Sequence, residues 1–347
     1  MSAASNAITP ANTSHRQRIL MIGLFALLLG FPLIASQFQL DLANQVFLAV
    51  IGSLALMLLT GYAGQISLGH GGLLAAGAYT VAILSKDFGA SFWVTIPASA
   101  LSGALLGVIF GFPSLRLRGV YLAVSTLALH FIVIYLGTEY ETHGSYDSGV
   151  IITPPVLLGY SLESPRAWYF MMLLFAVLAW LVAANLLRSK TGRAWRAIRA
   201  NETVAEALGI GVSRYKLLAF VVTSSMTAVA GALFGYYRGF VSGEAFSIFI
   251  AIQYAAMIII GGMGSLIGAV LGAVFVTAFP YFIEYLLFML PGADQAANAL
   301  FAVNYAAFGV VMIVFLIFEP GGFVGLWRRI ANRWVTSAPN VVAVART

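Results

Sequence analysis

Long apolar runs alternate with short polar connections over most of the chain. Runs near 19–36, 42–61, 64–84, 92–112, 119–136, 167–187, 217–237, 247–261, 265–290 and 303–318 mostly reach the ~17–25 residues a helix needs to cross ~30 Å of hydrocarbon. The pattern predicts an all-α polytopic membrane protein with about ten transmembrane helices, nine to eleven. The pieces 64–84, 247–261 and 265–290 carry the weakest signal. Residues 1–18 are polar and patternless and are expected to be a disordered cytoplasmic segment. Residues 19–325 form the transmembrane domain and 326–347 a cytoplasmic tail. The first apolar run is longer than the core of a signal peptide and is read as a retained span.

One stretch breaks the pattern. Gly61–Ile83, GYAGQISLGHGGLLAAGAYTVAI, carries six glycines together with Gln65, Ser67 and His70. Polar, irregular backbone at membrane depth has to be covered by protein or line a wet cavity. The stretch is therefore expected to be a broken helix lining a pathway. Gln65 and Ser67 are candidates for bonding a zwitterion or a neutral amide, or for satisfying the opened backbone. His70 and His130 are further pathway candidates, because an ionisable group within a span is a functional candidate by default; bonding between helices is the alternative for both.

Composition agrees with the hydropathy. The chain is 61% hydrophobic and 9% charged, against roughly 25% charged in soluble domains. There is no cysteine, which excludes disulfides and thiolate chemistry. The formal charge of +6 comes from basic residues flanking apolar runs, which points to topology and anionic lipid rather than nucleic acid. Residues 188–216 hold seven of the 18 Lys and Arg residues, so this segment is placed in the cytoplasm by the positive-inside rule. Counting spans from there puts Arg16, Arg18, Arg116, Arg118, Arg328, Arg329 and Arg333 inside and Lys86 outside. The loop 137–166, with Glu139, Glu141, Asp147 and Glu163, falls outside. Both termini are then cytoplasmic.

Three segments repeat glycine every fourth residue: Gly103/Gly107/Gly111, Gly231/Gly235/Gly239 and Gly264/Gly268/Gly272. Such stripes let helices pack closely. SGALLGVIFGF (102–112) also resembles AGALFGYYRGF (230–240), in spans of opposite direction, so an inverted repeat is an open alternative. In the cytoplasmic segment, Ala194, Trp195 and Ile198 make an apolar edge among Arg193, Arg196 and Arg199. Asn201 or Thr203 can cap a second short helix, which Gly209 and Gly211 would end. Two short helices beneath the membrane are predicted. They either rest on lipid or dock their apolar edge in a partner's groove, with Glu202, Glu206 and the arginines pairing at the rim.

Three motifs together carry a resemblance. GYAGQISLGHGGLLAAGAYTVAIL, RAIRANETVAEALGIGVSRYKLLAFV and IIIGGMGSLIGAVLGA resemble the membrane permease subunit of branched-chain amino acid ABC importers, the LivM-like type. The resemblance runs in order over roughly residues 40–325, and TGRAWRAIRANETVAEALGI is its most specific part. It implies a bacterial inner-membrane subunit that pairs with a second, LivH-like permease. Two cytoplasmic ATP-binding subunits would drive it, and an external binding protein would deliver substrate. It implies that Arg199, Glu202, Glu206, Ala207, Leu208 and Gly209 belong to the ATPase-coupling element. His130-Phe131-Ile132 stands where the family often has a carboxylate, and the loop 142–159 lacks expected glycine pairs. The cargo therefore stays open between branched-chain or other neutral amino acids and urea- or amide-like solutes.

Catalytic constellations are not found in the sequence. No G-x-x-x-x-G-K-S/T loop occurs, so the chain is not expected to hydrolyse ATP. The histidines at 15, 70, 130 and 143 have no metal-ligand spacing. No cofactor or metal is expected, and the chain is read as a transport subunit rather than an enzyme. An ion-coupled secondary carrier, or a channel for a small neutral solute, is the alternative.

Overall fold

In hydrocarbon the backbone must bond itself, and a helix does so within one segment. The structure, a computed structural model, describes residues 23 and 27–329 apart from 118, 145, 147, 148, 158, 290–299, 320 and 328. Residues 27–34 are helical. The following helices are α1 (Gln37–Leu56, continued by a π-turn, Met57–Tyr62), α2 (His70–Asp87), α3 (Phe92–Ser114), α4 (Val120–His143) and α5 (Pro165–Arg188). Next come α6 (Lys190–Ala200), α7 (Glu202–Ala207), α8 (Val212–Arg238), α9 (Ile248–Gly261), α10 (Leu266–Phe288) and α11 (Leu300–Phe318). Among the described residues seven helices are long and apolar enough to cross a membrane. The protein is an all-α polytopic membrane protein. The predicted segment 1–18, part of the first span (19–22 and 24–26) and most of the tail 326–347 lie outside the described residues, as do His15, Arg16, Arg18, Arg118, Asp147, Arg328 and Arg333.

Helix α8 is the central strut, packed on α3 along one flank and crossing α2 on another. The first glycine stripe explains the closeness of α3. A Cβ at Gly103 would lie 2.5 Å from the Ser224 carbonyl oxygen, one at Gly107 2.7 Å from Val221 Cα, and one at Gly111 2.8 Å from Leu217 Cδ1. The numbers fall on α8 as they rise on α3, so these helices run antiparallel. At the α2–α8 crossing the backbones touch: a Cβ at Gly77 would overlap the Ala228 carbonyl, and one at Gly231 the Leu74 carbonyl. The other two stripes are not wholly helical. Gly239 ends α8 in the left-handed region, and Gly264 lies in the turn before α10. Only Gly268 and Gly272 serve helix packing there, against the carbonyls of Gly261 and Met257.

Polar groups tie these contacts. Ser53 Oγ donates to the Ala269 carbonyl at 3.2 Å, Ser99 Oγ to the Gly77 carbonyl at 3.2 Å, and Thr95 meets Tyr236 at 2.8 Å. Such bonds hold helices where apolar burial gives no net drive. Short pairings join connecting segments: β1 (Val150–Ile151) runs antiparallel to β4 (Phe240–Val241), while β2 (Val156–Leu157) and β3 (Tyr160–Ser161) form a hairpin. The region predicted as a loop from 137 begins as helix, because α4 continues to His143. Glu139 and Glu141 therefore sit on its last turns, and His143 approaches Glu139 at 3.3 Å.

Candidate translocation and coupling site

The break expected in Gly61–Ile83 lies before His70. The π-turn opens the ladder, with Ala63 N–H donating to the Leu58 carbonyl and Gln65 N–H to the Leu59 carbonyl, both at 3.0 Å. Residues 63–69 then run without helix up to α2. The freed backbone is met by side chains. Thr60 Oγ1 donates to the Gln65 carbonyl at 3.0 Å, Gln65 Nε2 to the Ala63 carbonyl at 3.2 Å, and Thr126 Oγ1 accepts from Leu68 N–H at 3.0 Å. Ser67 Oγ accepts from Gly69 N–H at 3.3 Å. Gln65 and Ser67 are both buried, so each bonds the opened chain at a point covered by protein.

The two histidines meet the first turn of α2, which has no side-chain cap. His70 is buried, its ring centroid 4.6 Å from that of Tyr254 and its Nδ1 3.5 Å from Thr227 Oγ1 on α8. His130, on α4, fills a notch that Gly71 and Gly72 leave open. A Cβ at Gly71 would stand 2.9 Å from its ring, and one at Gly72 2.8 Å from its Cα. His130 Nδ1 is buried with no hydrogen-bond partner. The structure thus brings Gln65, Ser67, His70 and His130 to one helix break.

Beneath it, Ser189 caps α6 and Asn201 both ends α6 and caps α7, accepting from Val204 N–H at 3.1 Å. Asn201, not Thr203, is therefore the cap. The apolar edge of α6 turns inward: Trp195 is fully buried beside Ala194 and Ile198, and its Nε1 donates to the Tyr215 carbonyl at 2.9 Å. That edge is taken up within the chain and is not offered to lipid or a partner. Glu202 also faces inward, pairing at 2.6 Å with Lys216, which is only 3% exposed. What remains open on α7 and its end is Thr203, Val204, Glu206, Ala207, Leu208 and Gly209. Leu208 is 74% exposed.

Two features escaped the sequence pattern. Glu141 Oε1 accepts from Tyr79 OH at 2.7 Å and from Gly243 N–H at 3.1 Å, joining α4, α2 and the turn before α9. Arg199, an exposed residue on α6, lies against Gly64 and Gly264. A repeat signals the second feature: Gly61-x-x-Gly64 and Gly261-x-x-Gly264 stand 200 positions apart, and both end in glycine of positive φ (71° and 89°). Among the described residues no three side chains of metal-binding type gather.

A multi-pass helical protein with a covered helix break and a folded hairpin packed on its long helices is matched by membrane permeases. The chain belongs to the family of branched-chain amino acid transport system permease components, which it matches over residues 38–318. It is 32% identical to the high-affinity branched-chain amino acid transport system permease protein LivM of Salmonella typhimurium, over 92% of this chain and 78% of the relative. LivM of Escherichia coli matches with the same identity and coverage. The autoinducer 2 import system permease protein LsrC of Klebsiella pneumoniae is 33% identical over 51% of each chain. No solved structure matches the chain significantly.

Proposed function

We propose that the protein is the permease subunit of an ABC importer that carries branched-chain or other neutral amino acids across the bacterial inner membrane. The observation that carries this reading is the α6–α7 hairpin. It is held to the spans by Trp195 and Lys216 yet leaves Val204 and Leu208 exposed, in a chain without a phosphate-binding loop of its own. Glu206, Ala207, Leu208 and Gly209 form the knob that two partner ATPases grip, while Arg199 and Glu202 fix that knob to the spans. An external binding protein delivers cargo, and a second, LivH-like permease completes the pathway. Substrate passes the break at Gln65, Ser67, His70 and His130. About ten spans cross the membrane, with both termini in the cytoplasm, and the likeness of 102–112 to 230–240, carried by the antiparallel helices α3 and α8, supports an inverted repeat. The names of the LivM relatives support the cargo.

Reconstitution of the full complex in vesicles tests this reading. Uptake of leucine is expected only with ATP inside and loaded binding protein outside. Uptake driven by a pH gradient without ATP would make the chain a secondary carrier, and solute flux through the purified chain alone would make it a channel.

A further inference from the structure

The two helix breaks meet at one place. Gly264 N–H donates to Met57 Sδ at 3.2 Å, and a Cβ at Gly61 would stand 3.1 Å from Gly264 N. The π-turn after α1 ends here, and α9 ends three residues before Gly264, so two helices bring their partly negative carbonyl ends together. Arg199 spans this junction. A Cβ at Gly64 would lie 3.1, 3.2 and 3.3 Å from the Cγ, Cβ and Cα of Arg199, so the helix α6 itself rests on the first break. A Cβ at Gly264 would lie 3.2 Å from Arg199 Nη1 and 3.6 Å from the Gly61 carbonyl oxygen, so the guanidinium reaches the second. Both glycines have positive φ, and a side chain at either would meet Arg199 as well as backbone strain.

We propose that Arg199 is the positioning residue that closes the cytoplasmic end of the pathway. Its stem bears on Gly64 and its cation on the turn at Gly264, so one side chain holds both breaks shut. Because Arg199 is carried on α6, next to the Asn201 cap that starts α7, a displacement of α7 withdraws it from both breaks together. A planar, five-donor guanidinium suits this span better than a lysine ammonium. The inference rests on the permease reading and gives the hairpin two roles, gripping the ATPases through α7 and latching the exit through α6.

The chain contains no cysteine, so a single introduced thiol reports cleanly. Ala63, which is 1% exposed and precedes Gly64, is replaced by Cys in the full transporter, and a membrane-impermeant maleimide is added to inverted vesicles. Arg199→Met is expected to speed Ala63→Cys labelling about tenfold, a shift in the open population of that order. Gly64→Ala, which pushes on the Arg199 stem, is expected to act in the same direction, and Arg199→Lys to lie between wild type and Arg199→Met. ATPase subunits should co-purify with Arg199→Met at wild-type stoichiometry. Unchanged labelling in Arg199→Met and Gly64→Ala, or loss of the ATPases from Arg199→Met, would overturn the latch. An Arg193→Cys control separates the two readings: its labelling from the outer face would sink the permease orientation, whereas its labelling from the cytoplasmic face leaves the latch to be judged by Ala63→Cys. Should Arg199→Met fail to accumulate, Arg199→Lys and Gly64→Ala decide the question.

Discussion

Single residues in this protein act mainly by what they leave out or what they tether. At Gly77 any side chain would overlap the Ala228 backbone, and backbone cannot move aside as a flexible side chain can. Gly77→Val is expected to cost ~3 kcal/mol or more, seen as a lowered thermal midpoint in detergent or loss of folded material; a wild-type midpoint would contradict the close α2–α8 crossing. Trp195 is a tether. Trp195→Phe keeps the buried ring but removes the donor to the Tyr215 carbonyl, a bond worth about 0.5–1.5 kcal/mol. The span helices should remain, with the loss read as faster proteolysis of residues 188–216.

The hairpin is the element in which sequence pattern and structure part most usefully. Its two helices and its glycine end were legible, because caps and periodicity are local. The fate of its apolar edge was not: Trp195 looks alike whether it meets a partner, a membrane or the Tyr215 carbonyl in its own chain, and only tertiary packing decides. The same holds for Glu202, whose partner Lys216 stands on a different helix. This pairing makes a direct prediction. Either Glu202→Lys or Lys216→Glu alone strands a buried like-charge pair and should uncouple ATP hydrolysis from uptake, while the double exchange should restore at least part of the coupling. Failure of the exchange to rescue, with the single variants silent, would remove the pair from the coupling path. On the exposed side, Glu206→Arg with Gly209→Ile should dissociate the ATPases while the spans still insert; co-purification at wild-type stoichiometry with normal uptake would contradict that role.

For the whole molecule, hydropathy located the helices because lipid imposes one solution on the backbone. It also drew attention to GYAGQISLGHGG, since a glycine- and polar-rich run makes a poor lipid-facing helix. It did not place the break, which lies before His70 rather than within 70–84, nor reveal that a second break at Gly261–Gly264 meets the first. Two positive-φ glycines joined through an arginine from a third element are a product of the fold. The central claim is that a hairpin below the bilayer carries force from partner ATPases to these breaks. A lone Leu208→Cys in the cysteine-free chain tests it most directly, by impermeant maleimide in intact cells and in inverted vesicles, with and without the ATPase subunits. No labelling in cells, rapid labelling in vesicles and protection by the ATPases is the predicted result; labelling from outside the cell, or labelling that the ATPases do not slow, would contradict it.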